Sequence, residues 1–244
     1  MVAAVLTVPL VTFLLGCGKA EYEAAVRSQM DHLSFASKFL ENLQKGESDV
    51  VRGVAAMQLP MYLEEDVQEY KLGAKDRRGD PIAPERIQPP FLQIPGFEKC
   101  LERHVTLGGR NDTQPLYCYF GSVSARTKQS ALLAQIKSQV GRAFSNQAVW
   151  QQVQLDTPEA GKKLDFQKMS VTGKQTFEMS AEGGDPRQVD GQFDIYVYST
   201  PVVHVIVAFR ATKEAAANLN VFKNGELSLG TLVVEAVEES PQGV

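Results

Sequence analysis

The chain has 244 residues, 43% of them hydrophobic and 22% charged, with 19 Gly and 12 Pro, which excludes a disordered, collagenous or coiled-coil chain. Its 25 Lys and Arg against 29 Asp and Glu give a net charge of -4, so no basic surplus exists to neutralise a nucleic-acid backbone, and no nucleic-acid partner is expected. Three Cys exclude a small disulfide-stapled scaffold, and the length suffices to bury one core of middling size or two small ones.

The N-terminus is the most informative stretch. No charged residue occurs from Val2 to Gly16, and the run from Val5 to Leu15 is apolar and short. At about 1.5 Å per helical residue, sixteen residues reach roughly 24 Å, less than the ~30 Å of bilayer hydrocarbon. Such a length suits the apolar core of a secretory signal better than a permanent span. The run ends in Leu14-Leu15-Gly16-Cys17, and there the sequence resembles a bacterial lipoprotein precursor, whose signal peptidase reads this lipobox. The resemblance covers the first seventeen residues. It implies cleavage between Gly16 and Cys17, diacylation of the Cys17 sulfur, and a tethered extracytoplasmic protein whose two or three acyl chains hold it firmly to a membrane. One departure is that no Lys or Arg precedes the apolar run, which leaves the Met1 amine as the only positive charge there. Gly18, rather than Asp, resembles lipoproteins passed to the outer membrane, although the leaflet stays open.

Ala20 to Leu43 carries Val26, Met30, Leu33, Ala36, Leu40 and Leu43 at gaps of three and four, which predicts one amphipathic helix stopped at Gly46. Its stripe is expected to pack on the body or a partner rather than to form a bare stalk. Val50, Val51, Val54, Met57 and Leu63 suggest a second, short helix interrupted at Pro60. From Lys71 the chain changes character, with Pro81, Pro84, Pro89, Pro90 and Pro95 forbidding a helix or central strand. Interspersed Ile82, Ile87, Phe91, Leu92, Ile94 and Phe97 favour a linker draped along the globular part.

After Thr113 the pattern becomes mixed. Strands are expected at Leu116 to Val123 and Ala148 to Leu155, and a helix from Lys128 to Phe144. Leu164 to Val171 is read as a strand that turns at Thr172-Gly173-Lys174 into a second at Gln175 to Ala181, followed by a loop at Gly183 to Pro186. The clearest signal is the hairpin of Phe193 to Ser199 and Val202 to Arg210, whose second arm is apolar on both faces and therefore central. Thr212 caps an Ala-rich helix ended by Asn224-Gly225, and Leu227 to Val237 closes as a strand. The expected fold is α+β, a mainly antiparallel sheet with helices packed on it. The segments read as a signal peptide over 1–16, a helical region over 17–70, a proline-rich linker over 71–112, the α+β domain over 113–237 and a polar tail over 238–244. In element order, Val202 to Val237 looks like the closing unit of the PsbP-like fold, a resemblance that carries no functional residue across.

With Cys17 assigned to lipid, Cys100 and Cys118 remain as a candidate disulfide that would contribute about 3 kcal/mol on the chain-entropy model. The other reading makes Cys118 a buried small hydrophobe. Cys100, His104 and Cys118, with Glu98 or Glu102, form an alternative metal reading, but the usual close Cys pair is missing. His32 and His204 are read as a solvated and a core histidine. No nucleophile elbow, zinc-protease, Ser-x-x-Lys or phosphate-loop pattern occurs, so neither catalytic residue nor cofactor is assigned. The expected role is binding of an envelope partner or small ligand without catalysis. An envelope hydrolase or ligand carrier with a site assembled from scattered residues, and a structural or assembly lipoprotein, remain as alternatives.

Overall fold

A computed structural model describes residues 9–71, 94–107, 113–144, 148–159, 161–180 and 186–235. It divides into two units, Met1–Glu41 and Asn42–Val244. The first consists of helix α1, Pro9–Asn42, whose start lies upstream of the expected Ala20 because the apolar signal-like run continues the same helix without a break. Phe35 and Phe39 meet edge to face on it, with ring centroids 5.5 Å apart. On α1 of the single chain, Met30, Leu33 and Leu40 are 64%, 63% and 79% exposed. No helix among the described residues is long and apolar enough to cross a membrane.

The second unit is α+β with two antiparallel sheets. In chain order it comprises β1 (Ser48–Val51), β2 (Ala55–Met57), a 3-10 turn (Met61–Leu63), β3 (Val67–Lys71), β4 (Phe97–Thr106), β5 (Thr113–Ser124), α2 (Gln129–Phe144), β6 (Trp150–Asp156), β7 (Lys163–Glu178), β8 (Pro186–Ser199), β9 (Val203–Thr212), α3 (Lys213–Leu219), α4 (Val221–Leu229) and β10 (Val233–Val234). The large sheet has the order β3-β4-β5-β9-β8-β7-β6, and a small sheet has the order β1-β2-β10. β9 is buried at every position, as its two-sided apolar pattern requires of a central strand.

Each face of the large sheet carries its own core. Leu132, Ile136 and Val140, each four residues apart, put one stripe of α2 against Tyr117, Tyr119, Phe193 and Ile195. On the other face Val51, Met57 and Leu63 from the N-terminal hairpin and turn, with Ala215, Val221 and Leu229 from α3 and α4, cover Leu116, Phe120, Val207 and Phe209.

Several expectations meet corrections here. The short helix around residues 50–63 is instead the β1–β2 hairpin and 3-10 turn: Val50 and Val51 enter the core as part of a strand, and β2 pairs with both β1 and β10. The supposed linker over 71–112 contains β4, which pairs with β3 and β5, so the large sheet extends well upstream of Thr113. Residues 72–93 and the polar tail over 238–244, like the loop from Gly183 through Asp185, lie outside the described residues. Gly173 does not turn the chain. It sits at φ +133° inside one continuous β7, opposite Gly191 of β8. Asn224-Gly225 lies within α4, while Asn220, at φ +49°, separates α3 from α4. The Thr212 cap is as expected, its side chain accepting from the Ala215 N–H.

Gly191 marks where β9 stops pairing with β8, so beyond it β7 and β8 continue as a two-stranded ribbon. This ribbon curls back over the α2 side of the sheet. Phe177 of β7 lies over Arg210 of β9, and the Thr113 hydroxyl at the start of β5 donates to the Met179 carbonyl, although β7 and β5 stand three places apart in the sheet.

Candidate functional site

Two buried polar clusters stand out, one per face of the sheet, because a charge in an apolar strand is tolerated only with partners. On the α2 side, strand register lines up Glu102, Tyr117, Arg210 and Phe193 in one row across β4, β5, β9 and β8. Arg210 is 1% exposed. Its Nε donates to Gln175 Oε1 at 3.0 Å and its Nη2 to the Thr176 carbonyl at 2.7 Å. The guanidinium lies 4.0 Å from the Phe177 ring centre and 5.5 Å from that of Tyr117. Burial pulls Arg210 below the usual arginine value, a pull opposed by the neighbouring Tyr119 and Tyr117. In the same row Glu102 is buried, its Oε1 lying 2.7 Å from His104 Nε2. Among the described residues the Tyr119 hydroxyl and Gln175 Nε2 are buried with no hydrogen-bond partner of ordinary geometry.

The chemistry open to this cluster is narrow. Burial drives the hydroxyls of Tyr117 and Tyr119 and the Cys100 thiol well above their ordinary values, so none exchanges a proton near neutral pH. Arg210 acts as a fixed cation that bolts the β7–β8 ribbon to the central strand.

On the opposite face, Asp194 of β8 is wholly buried and accepts from Gln192 Nε2 at 2.9 Å. Lys168 of β7 places its Nζ 3.1 Å from Asp194 Oδ2 and 2.8 Å from Glu226 Oε1 of α4. The Tyr196 hydroxyl donates to the same Glu226 oxygen at 2.9 Å, and the Lys168 ammonium sits 5.1 Å from the Tyr196 ring centre. The cluster ties α4 to the sheet. Burial pulls the Lys168 pKa down, but the hydrogen bond to Glu226 and the field of Asp194 more than offset it, and the net shift is upward. A pKa raised on folding gives stabilisation that is complete below the unfolded value and lost as pH rises through the folded one. Resistance to urea is therefore expected to fall above about pH 10.4, the ordinary lysine value, together with a fall of the same sign from the buried tyrosines and thiols, whose pKa values are also raised, and Lys168→Met to make the decline shallower by its own share. An unchanged slope in the variant would show that Lys168 is not among the groups responsible.

Strand register corrects the disulfide expectation, while Cys118 is the buried small hydrophobe of the other reading. Cys100 stands opposite Tyr119 and Cys118 opposite Leu101. Neighbours along a strand point to opposite faces, so the two thiols enter different cores, and both are free and fully buried. The disulfide does not form, because the sheet stands between the sulfurs. The metal reading of Cys100, His104 and Cys118 fails for the same reason: Cys100 and His104 share a face that Cys118 does not. Among the described residues no three His, Cys, Asp or Glu side chains are grouped to hold a metal ion. Burial pushes both thiols well up. Native protein should leave both unreacted toward a disulfide reagent and expose them only in denaturant; rapid labelling of either in the folded state would contradict this placement.

His204 is 5% exposed, as expected of a core histidine. Its Nε2 lies 2.8 Å from the Thr127 carbonyl and its Nδ1 2.8 Å from the Ser199 hydroxyl. The carbonyl only accepts, so Nε2 carries the proton and Nδ1 accepts from Ser199. Gly16, Cys17 and His32 lie on α1. Sequence reasoning passed over Lys168, Asp194, Arg210 and Glu226. The available signal was an ionisable residue inside an apolar strand, as in Asp194 of QFDIYVYS and Arg210 of VHVIVAFRAT.

Comparison with known proteins adds little. No family model matches the chain, and no curated protein matches. A crystal structure from Bacteroides thetaiotaomicron VPI-5482 resembles it with 12% identity and a TM-score of 0.36, over 80% of this chain and 50% of that one. The chain thus spans about half the length of that protein, and a likeness of this degree carries no argument about role.

Proposed function

We propose that this chain is a bacterial lipoprotein, acylated at Cys17 after removal of residues 1–16, and that its α+β domain works outside the cytoplasm by binding an envelope partner or a small ligand rather than by catalysis. The observation that carries the reading is Leu14-Leu15-Gly16-Cys17 at the end of a charge-free N-terminal run. The buried clusters support the second half, since their tyrosines and thiols are held neutral and their charges already serve as internal anchors. The recess among Glu23, Ala24, Arg27, Ser28 and Asp31 is open to solvent.

Detergent phase partitioning tests the anchor. Wild-type protein should enter the detergent phase and take up labelled fatty acid, and Cys17→Ser should do neither and keep residues 1–16. Equal partitioning and processing of the two forms would overturn the reading.

A further inference from the structure

Helix α1 carries an exposed apolar stripe. Tyr22, Met30, Leu33 and Leu40 are 70%, 64%, 63% and 79% exposed. At 3.6 residues per turn these four, with Val26, fall within an arc of about 80°. Glu23, Arg27, Asp31, Lys38 and Glu41 occupy the adjoining arc, so from Tyr22 to Glu41 the charged residues keep off the apolar arc; Lys19, nearer Cys17, falls within it. A helix this long is stabilised in water chiefly by burying such a stripe, so a cover is required.

We infer that the cover is the bilayer surface: α1 lies in the headgroup region of the leaflet that holds the Cys17 acyl chains, with Tyr22, Met30, Leu33 and Leu40 turned toward the hydrocarbon. The inference rests on the lipid-anchor reading above. Tyr22 follows Cys17 by five residues, about 8 Å along the helix, so the acyl chains hold the stripe at the leaflet at high local concentration. The stripe from Tyr22 to Leu40 runs about 27 Å, and the ionised flank beside it keeps the helix in the interfacial plane rather than across the membrane. The exposed charges of Arg27 and Lys38 nearly balance those of Glu23, Asp31 and Glu41, so no strong repulsion opposes contact with headgroups of either charge.

Spin labels on the full, acylated protein test this directly. Because Cys100 and Cys118 are buried and Cys17 is acylated, Met30→Cys, Leu33→Cys and Leu40→Cys, or Arg27→Cys, Asp31→Cys and Lys38→Cys on the charged flank, each give one labelling site. The proteins are reconstituted in vesicles of phosphatidylethanolamine and phosphatidylglycerol, and label collisions are read with membrane-soluble oxygen and a water-soluble nickel chelate. Labels at 30, 33 and 40 should meet oxygen several-fold more, and nickel several-fold less, than labels at 27, 31 and 38. Uniform access to nickel on protein that still floats with the vesicles would overturn the inference and leave the anchor standing. Shielding of 30, 33 and 40 from both reagents would overturn it too, by showing a protein cover such as a second copy. Protein that fails to float would overturn the anchor and the inference together. As a further check, Leu33→Glu with Leu40→Glu should abolish the oxygen-facing pattern of a label at 30 without releasing the acylated protein from vesicles.

Discussion

Arg210→Ala is expected to lower the free energy of unfolding by about 3–5 kcal/mol, read as a drop in urea midpoint at unchanged slope. The size follows from what the guanidinium holds. Its removal strands Gln175 Oε1 in the buried interior, deprives the part-buried Thr176 carbonyl of its donor, and opens a cavity between the rings of Phe177 and Tyr117. Both lost hydrogen bonds have a charged donor, which makes them worth more than neutral ones. Arg210→Met is the informative partner variant. It fills much of the space and abolishes the cost of burying a cation, so its loss should be clearly smaller than that of alanine. Equal losses would mean that the charge, rather than the packing, holds the β7–β8 ribbon down. A loss below about 1 kcal/mol in Arg210→Ala, within the range of ordinary substitutions, would contradict the bolt altogether.

Gly121→Ala should be at least as damaging. A Cβ at residue 121 would stand 1.6 Å from the Gly96 carbonyl oxygen, 2.4 Å from its carbon and 2.6 Å from Phe97 Cα. All three are backbone atoms, so no side-chain rotation relieves the overlap. The segment entering β4 must move off β5, and the pairing of Phe97 with Gly121 goes with it. Gly96 itself is fixed by its positive φ of +91° and by Ile206 and Val123 on either side, which leaves the displaced turn no near alternative. We expect a loss of about 3 kcal/mol or more, with hydrogen exchange accelerated first across β4 and β5. Wild-type-like stability in Gly121→Ala would show that the approach of the two backbones is looser than described.

Both sites bear on what the sequence discloses. Local periodicity is legible wherever one element settles it: α2 through Leu132, Ile136 and Val140, β9 through its two-sided apolar run, and the Thr212 cap through side-chain chemistry. It fails where a residue has two uses. Gly173 reads as a turn because turns favour glycine, yet here it allows a positive φ within a continuous strand. Phe97 to Thr106 reads as the end of a linker because its apolar positions mix with charged ones, of which Glu98, Lys99 and Arg103 find their partners on β5, on β1 and in the turn at Tyr62. The same mixture hides the polar clusters. Lys168 and Glu226 are separated by 58 residues, and Arg210 and Gln175 by 35, so only folding reveals that they meet. The cysteines teach the sharper lesson, since an even pair in a chain expected to enter an oxidising compartment satisfies every sequence criterion for a bridge, and one residue of register puts the sheet between them.

The functional reading rests on the terminus, and mass spectrometry of the intact protein extracted from its native membranes addresses it most directly. The predicted species begins at Cys17, carries a diacylglyceryl group on that sulfur, and holds Cys100 and Cys118 as free thiols. A chain that retains residues 1–16 with an unmodified Cys17 would contradict the lipoprotein assignment and, with it, the placement of α1 on a bilayer.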